Sequence, residues 1–279
     1  MFTNWYVYHK DLTSPNTQWL NLNLVNNATT NATYNFSSVT SDTFTTHLFA
    51  AGGTNNVVSY CFHSVNGYQK IGSYTGNGSA NGPIVETGFE VAWILIKGVD
   101  TNNHSGWSIL DNKRQSAEGV KHRLEAQDTA AESTNYADIS FLTNGFKINT
   151  TNQNYNTSGE KYIYLAIAAN PDTTTPTVEN SFTSFTWSGN GSTQSITGLG
   201  FKPDLVFWKA NNASNHNWKA IDSIRGATRN LYLNLTNAEA SDVATTSFDE
   251  DGITFGSGAN GNASSIDFVG YAFKAGDHD

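Results

Sequence analysis

The stretch SYTGNGSANGPIVETGFEVAWILIK, residues 73–97, has a second version further along the chain. The counterpart is FTWSGNGSTQSITGLGFKPDLVFWK, residues 185–209. Both versions join a polar Gly-Asn-Gly-Ser segment to a Gly-Phe pair and then to an apolar run that ends in lysine. Repetition over such a length indicates one structural unit that the chain uses more than once. The prediction of the fold therefore starts from this repeat.

The common register continues beyond the quoted stretches. The matching pairs are GWSILDNKR (106–114) with NWKAIDSIR (217–225), FLTNGFKI (141–148) with FDEDGITF (248–255), and EKYIYLAIAAN (160–170) with IDFVGYAFKAG (266–276). The start of the chain contains only the later motifs, NWYVYHKDL (4–12) and NNVVSYCFHSV (55–65). These matches make Trp5, Trp107 and Trp218 equivalent. We therefore expect one unit without its opening half, followed by two complete units.

The predicted domain organisation has four parts. They are an incomplete first repeat at 1–67, a full repeat at 68–172, a linker at 173–181 and a second full repeat at 182–279. A half-built unit exposes unpaired backbone edges, which invite pairing with another chain. Upstream residues of a longer fibre or a neighbouring subunit would then cover side chains that stay partly uncovered in an isolated chain. Those side chains are Val7, Leu22, Val58 and Tyr60.

Composition and periodicity predict an all-β fold. Only 14% of the residues are charged, and Asn, Ser and Thr, which compete with helical hydrogen bonds, are abundant. The run KYIYLAIA (161–168) has apolar residues on both of its alternating faces, as in a strand that is covered on both sides. Asn144-Gly145 and Asp251-Gly252 predict tight hairpins with type I′ turns. The expected architecture is a tandem of antiparallel, lectin-like or jelly-roll-like β-sandwiches, with one helical patch at 117–127.

Several classes of function and site are excluded by the composition. The net charge is −9 and no basic run occurs, so a nucleic-acid partner is not expected. Apolar stretches such as Val91 to Ile96 are far shorter than the ~20 residues of a membrane helix, so membrane insertion is not expected. The single cysteine, Cys61, allows no intrachain disulfide and no cysteine-based metal site, and its alternating context predicts a small buried side chain.

Two charged pairs lie at equivalent positions of the complete units. They are Asp111 with Arg114 and Asp222 with Arg225. Each pair has two interpretations, an acid whose pKa is set by a cation or an ion pair that ties a strand to the following loop. Because both units keep the pair, we favour the structural interpretation.

No catalytic, metal-binding or cofactor-binding residue is predicted. Asp249, Glu250 and Asp251 have oxygen ligands that Ca²⁺ would accept, but they occupy a predicted hairpin turn and lack EF-hand spacing. The sequence contains no HExxH, GxSxG or P-loop pattern. A non-enzymatic protein is therefore expected.

Polar loops before two of the equivalent tryptophans are the candidates for ligand contact. Exposed Trp and His rings stack on sugars, and Asn amides bind hydroxyl groups, but Trp107 and Trp218 head predicted strands and are expected in the core. The adjoining loop residues remain as candidates for binding a sugar or another surface ligand. They are Asn102, Asn103, His104, Asn215, His216 and Asn217.

The combined motifs resemble a repeat of tail-fibre-like virion proteins of tailed phages, many of them marine. The resemblance rests on SYTGNGS, GFEVAWILIK and GWSILDNKR in the first complete unit, and on GLGFKPDLVFWK, SFDEDGITFGS and GYAFKAG in the second. It covers nearly the whole chain. The first unit departs from the pattern, since His9 to Asp11 stand where the other units have the Asp-plus-Arg motif.

The resemblance implies a β-sandwich virion protein without known catalytic residues. Its expected place is the virion surface, outside the cell, and its expected partners are other virion proteins and further copies of the chain, as a homotrimer. Host-surface or glycan attachment is the first interpretation of its role, because repeated weak sites give avidity. A purely architectural decoration or head-fibre protein is the alternative, and a polysaccharide depolymerase comes third.

Overall fold

The computed structural model describes residues 4–31, 36–47, 57–100, 106–115, 119–135, 137–169 and 181–275. This part of the chain contains 22 strands, all paired strands are antiparallel, and its two helices have only four residues each. The predicted all-β, antiparallel fold is confirmed. Most of the predicted linker lies outside the described residues.

The strands follow the repeat. Unit 1 (1–67) contains β1 (Tyr6–Val7), β2 (Gln18–Asn21), β3 (Thr29–Thr30), β4 (Phe36–Val39) and β5 (Phe44–Thr46). Unit 2 (68–172) contains β6 (Gln69–Thr75), β7 (Ile84–Glu86), β8 (Val91–Gly98), β9 (Ser108–Asp111), β10 (Leu124–Glu125), β11 (Ile139–Leu142), β12 (Gly145–Ile148), α1 (Gln153–Asn156) and β13 (Lys161–Ala168). Unit 3 (182–279) contains β14 (Phe182–Ser188), β15 (Gln194–Thr197), β16 (Leu205–Ala210), β17 (Lys219–Asp222), β18 (Arg229–Tyr232), β19 (Ala240–Ser241), β20 (Thr245–Asp249), β21 (Gly252–Phe255), α2 (Ala259–Asn262) and β22 (Asp267–Phe273).

Units 2 and 3 have the same topology. Unit 2 packs a five-stranded sheet, β10-β9-β8-β13-β6, on a three-stranded sheet, β11-β12-β7. Unit 3 repeats this with β18-β17-β16-β22-β14, extended by β19, and with β15-β21-β20. In each large sheet the closing strand of the unit, β13 or β22, lies between two neighbours.

The two apolar faces of each large sheet pack into different cores. On β13, Tyr162, Tyr164 and Ala166 point into the interior of the unit 2 sandwich. Ile163 and Ile167 point the other way, into a central core that also contains Leu20 of unit 1 and Trp218 and Tyr271 of unit 3. The three units therefore share one core, which explains why the closing strands are apolar on both faces.

Three equivalent hydrogen bonds close the units into a ring. The indole N–H of Trp107 donates to Asn21 O of unit 1 at 2.9 Å, and that of Trp218 donates to Glu125 O of unit 2 at 2.8 Å. Trp5 completes the circuit by donating to Tyr232 O of unit 3 at 2.9 Å. The acceptors are equivalent, since each lies opposite the residue that follows a ring tryptophan in its own strand ladder. The chain is thus a pseudo-threefold ring.

Unit 1 is the irregular member of the ring. Its sheet β1-β2-β3 and its hairpin β4-β5 pack on each other through Trp19 and Phe36. The segment 57–65 corresponds to the closing strands but forms no strand ladder with the described residues. The four side chains predicted to be partly uncovered are half-buried, and their burial in an assembly stays a prediction; they are Val7, Leu22, Val58 and Tyr60.

Two local predictions are wrong. Residues 119–127 form no helix but contain β10 and the isolated bridges of Val120 and Arg123, because apolar side chains there enter two different cores. Cys61 is exposed rather than buried. It points away from the central core, towards the side on which complete units carry their second sheet.

The predicted hairpins form, but the predicted type I′ turns are wrong. The turn residues are Thr143-Asn144 and Glu250-Asp251, and neither Asn144 nor Asp251 has a positive φ. The glycines that follow begin the return strands. A Cβ atom on Gly145 would lie 2.0 Å from Val85 O, and one on Gly252 would lie 2.0 Å from Ile196 O. Close approach of the neighbouring strand therefore requires glycine there.

Candidate functional site

The predicted ligand loop of unit 3 connects β16 to β17 and is held within its own unit. The backbone N–H of Asn211 donates to Asp267 O at 2.9 Å. The Asn212 amide donates to the Asp267 carboxylate at 3.0 Å and accepts from the Asp267 N–H at 2.9 Å. These bonds fix the base of the loop on the first residue of β22.

The tip of the same loop contacts unit 2. The backbone N–H of Asn215 donates to Thr129 O at 2.8 Å, and that of Glu132 donates to Asn211 O at 2.8 Å. The N–H of Ala131 donates to Ser214 Oγ at 3.2 Å. The loop is therefore a junction between two units, and only part of its surface is available to a ligand.

The three predicted contact residues in this loop have different environments. Asn215 is exposed and adopts a φ of 66°, which asparagine tolerates better than most residues. Asn217 is half-buried and its Oδ1 accepts from Asn234 Nδ2 at 2.8 Å. His216 is half-buried edge-on against Phe268, and burial together with Lys209 lowers its pKa. Asn215 is thus the most accessible of the three.

The other predicted contact residues and the tryptophans complete this comparison. Asn102, Asn103 and His104 lie outside the described residues. Trp107 and Trp218 are only 3% and 1% exposed, which confirms their predicted place in the core and makes the alternative of sugar stacking on them wrong.

Buried lysines support the loops of both complete units. Lys209 Nζ donates to Asp128 O at 3.0 Å and to Ala130 O at 2.6 Å. The equivalent Lys97 Nζ donates to Val25 O of unit 1 at 3.1 Å. Burial lowers the pKa of each lysine to about 8. Both lysines terminate the repeated apolar run, so the repeat places a cation at each of these junctions.

The charged pairs of the sequence form polar clusters between units. Asp111 accepts from Arg114 Nε at 2.7 Å and from the hydroxyl of Tyr271, on unit 3, at 2.7 Å. Arg114 also pairs with Glu132 at 2.9 Å. The side chains of Asp111 and Arg114 are 0% and 2% exposed, so this ion pair is shielded from solvent. The Asp111–Arg114 pair therefore takes part in a contact between units, in addition to the predicted link between a strand and the following loop.

The second cluster repeats this arrangement one unit further round the ring. Asp222 accepts from Arg225 Nε at 2.6 Å and from the hydroxyl of Tyr60, on unit 1, at 3.0 Å. Arg225 pairs with Glu239 at 3.1 Å. All these charged groups have structural partners, which argues against an acid–base role.

The described residues of the third junction form no such cluster. His9 and Leu12 of unit 1 stand where the other units have Asp and Arg, and Leu165 stands where they have Tyr. His9 is buried, and its Nδ1 accepts from the N–H of Asp11 at 3.1 Å. Burial lowers the pKa of His9 to about 4, although the neighbouring Asp11 acts in the opposite direction. The imidazole is therefore neutral in the folded protein above that pH.

We expect acid to destabilise the chain through His9. Unfolding returns His9 to its ordinary pKa of 6.5, so between pH 6.5 and 4 the unfolded state binds more protons and stability falls as the pH falls. A shift from 6.5 to about 4 corresponds to a loss of about 3 kcal/mol. Urea unfolding at pH 7, 5.5 and 4.5 measures this loss. His9→Asn keeps an acceptor for Asp11 and should lose clearly less stability over this range; an equal loss in both proteins contradicts the assignment.

Each carboxylate in the acidic turn of unit 3 has its own hydrogen-bond or ion-pair partners. Asp251 accepts from the N–H groups of Gly198 and Gly200, at 3.1 and 2.6 Å. Asp249 accepts from the hydroxyls of Ser247 and Thr254, and Glu250 forms an ion pair with Lys202. Nowhere in the described ranges do three His, Cys, Asp or Glu side chains cluster as metal ligands. The turn interpretation of this segment is supported by these contacts.

A cleft of about 350 Å³ opens between units 2 and 3. Its walls include Glu90, Asn112 and Lys113 of unit 2 and Thr183 and Ser184 of unit 3. The aromatic ring on its wall, Phe182, is 9% exposed and packs on neighbouring rings. The cleft thus offers polar groups but no open aromatic face for a sugar.

Sequence reasoning missed two buried asparagines that hold the Gly-Asn-Gly-Ser turns. Asn156 accepts from the N–H of Asn77 at 2.8 Å and donates to Thr150 O at 2.9 Å. Asn262 holds Asn190 in the same way, accepting from its N–H at 3.0 Å. The signal was present, because both asparagines end a short helix before the closing strand. Their neighbours in the sequence differ, which hid the match.

The chain belongs to a family described as a domain of unknown function, DUF7483, whose model matches residues 1–171 and 178–278. Searches of curated proteins and of solved structures returned no match. Across the part of the chain that the structure describes, neither helix has the length and apolar character needed to cross a membrane.

Proposed function

We propose that this chain is a non-enzymatic virion appendage protein of the tail-fibre type, which takes part in attachment to a host surface or glycan. The observation that carries the proposal is that the repeated Asp and Arg side chains form structural contacts. Asp111, Asp222 and Arg225 each bond to a tyrosine hydroxyl of another unit, and Arg114 pairs with Asp111. The repeated charges therefore support a rigid ring, and the polar loops remain for contact with a ligand.

The sequence resemblance to phage tail-fibre repeats supports the virion assignment. The shared core supports a rigid body, because the three units bury apolar side chains against one another. Such a body presents its loops without the entropy cost of ordering a flexible array on binding. Association into a homotrimer, contact with other virion proteins and a place on the virion surface form part of this proposal.

The architectural alternative is favoured by one observation. The loop 211–217 makes several backbone contacts with unit 2, as a structural junction would. If these contacts are its whole role, the chain is a decoration protein without a ligand. A depolymerase receives no support from the described side chains and would be revealed by release of reducing sugar from host polysaccharide.

Asn215→Gly is expected to weaken adsorption to host cells several-fold, alone or combined with Asn103→Ala. Glycine adopts the φ of 66° without strain, so the variant removes the exposed amide and keeps the loop. Binding of the purified protein to host cells and to a glycan array measures the effect. Thr186→Ala, at an exposed position on β14, is the matched control and should bind normally. Normal adsorption by Asn215→Gly at an unchanged melting temperature would favour the architectural alternative.

A further inference from the structure

We propose that segment 57–65 of unit 1 is a strand-addition site, and that it accepts the opening half of a repeat supplied from outside residues 1–279. The opening half means a segment with the arrangement of residues 68–98, in which β6, β7 and β8 follow one another. This inference is independent of the attachment proposed above.

The segment is assigned no strand, but its side chains already have the alternation of one. Its side chains alternate between half-buried and exposed from Val57 to Phe62. On the inner side, Tyr60 stacks on Trp5 with ring centroids 6.2 Å apart, and Phe62 meets Phe273 at 5.7 Å. An incoming strand would therefore find an ordered template, and little conformational entropy would be lost by the template.

On both of its edges, the backbone of this template has no strand partner among the described residues. The equivalent strand β13 is paired with β6 on one side and β8 on the other, and β22 is paired with β14 and β16. Residues 57–62 make no backbone hydrogen bond to any residue that the structure describes. Unpaired strand edges are sites at which a further strand adds through main-chain hydrogen bonds.

The exposed face of the segment corresponds to a sandwich interior. Cys61 is equivalent to Ala166 and Ala272, which are both 0% exposed in the cores of units 2 and 3. Val57 is 45% exposed, whereas its equivalents Tyr162 and Phe268 are 0% exposed. The face is therefore shaped for the second layer of a β-sandwich.

The ring also identifies the occupant by its lysine. Lys97 and Lys209, at the ends of β8 and β16, donate to backbone carbonyls in a loop of the preceding unit. The corresponding loop of unit 3 is 235–237, and no lysine from the described part of unit 1 reaches it; Lys10 pairs with Asp11 instead. A β8-type strand added beside 57–65 would carry its terminal lysine to this loop. The occupant is thus a repeat opening half rather than a generic strand.

The test uses the full chain and a fluorescein-labelled peptide with the sequence of residues 68–98 and a polar tail. We expect saturable binding by fluorescence anisotropy, and about a tenfold slower reaction of the single cysteine, Cys61, with a thiol reagent when the peptide is bound. A peptide of equal length from residues 119–149 should not bind. Binding of both peptides alike, or an unchanged rate at Cys61, would overturn the proposal.

Variants of the template separate pairing from a general loss of structure. Cys61→Ala introduces the residue that units 2 and 3 have there and should bind the peptide normally. Cys61→Arg places a charge in the proposed interior and should weaken binding about tenfold or more. Ser59→Pro removes one backbone donor from the template and should weaken binding as well. The melting temperature of each variant is measured as well, so that peptide binding is compared only between folded proteins.

Two results would contradict this assignment. One is equal peptide binding by Cys61→Ala and Cys61→Arg, both folded. The other is protection of Cys61 by raising the concentration of the chain alone, measured with sedimentation, which would identify a second copy as the occupant.

Discussion

Trp218→Ala is expected to lower the free energy of unfolding by about 4 kcal/mol, the range found for large aromatic side chains removed from a core. Trp218 is fully enclosed in the core that the three units share, and its ring stacks on Tyr271 at 6.2 Å. Its indole N–H donates to Glu125 O on the neighbouring unit. The substitution thus removes core volume and a hydrogen bond between units together. Urea unfolding at pH 7, followed by intrinsic fluorescence, measures the loss.

Two variants locate the origin of this effect. Trp218→Phe keeps most of the volume and leaves the Glu125 carbonyl without its donor, so a loss of about 1–2 kcal/mol is expected. Trp5→Ala removes the equivalent donor of unit 1, which is only half-buried, and should cost clearly less than Trp218→Ala. Equal losses of unfolding free energy in Trp5→Ala and Trp218→Ala would show that burial in the shared core does not determine how much a ring tryptophan contributes to stability.

Asp111→Ala is expected to destabilise the chain by about 3 kcal/mol, because the buried Arg114 cation loses one of its two carboxylate partners and keeps only Glu132. Arg114 and Asp111 have side chains that are 2% and 0% exposed, and Asp111 also accepts from the hydroxyl of Tyr271. The loss arises from the incompletely compensated Arg114 charge and from the Tyr271 hydroxyl, which loses its acceptor, rather than from the strength of the ion pair. The melting temperature and urea unfolding measure it.

The chain offers its own control for this prediction. Asp222→Ala disrupts the equivalent cluster, where the side chains are 12% and 10% exposed and water can solvate Arg225, so a smaller loss is expected. The double variant Asp111→Ala with Arg114→Leu imitates unit 1, which has Leu12 at that position, and should recover part of the loss. A double variant as unstable as Asp111→Ala alone would contradict an effect of unpaired charge.

Repeat and periodicity determined the fold class because they reflect local backbone preference and the two-residue period of strands. The apolar run that became β13 was predicted from its alternation, and the predicted core positions of Trp107 and Trp218 are confirmed. The hairpins at 139–148 and 245–255 were also predicted, since Asn-Gly and Asp-Gly mark reversals of the chain. Their turn type was not, because the position of each glycine depends on a strand from elsewhere in the unit.

The tertiary structure alone decided how the units use their second apolar face. Periodicity shows that both faces of β13 are apolar, but a single strand carries no information about which surface covers each face. The ring of Trp5, Trp107 and Trp218 required acceptors that are backbone carbonyls, and any residue type supplies those. For the same reason the loop 211–217 was identified by its polar residues, while its backbone contacts with unit 2 were invisible. Cys61 shows the converse. Its alternating sequence pattern is that of a buried residue, but the side chain is exposed because no second layer covers it in the described structure.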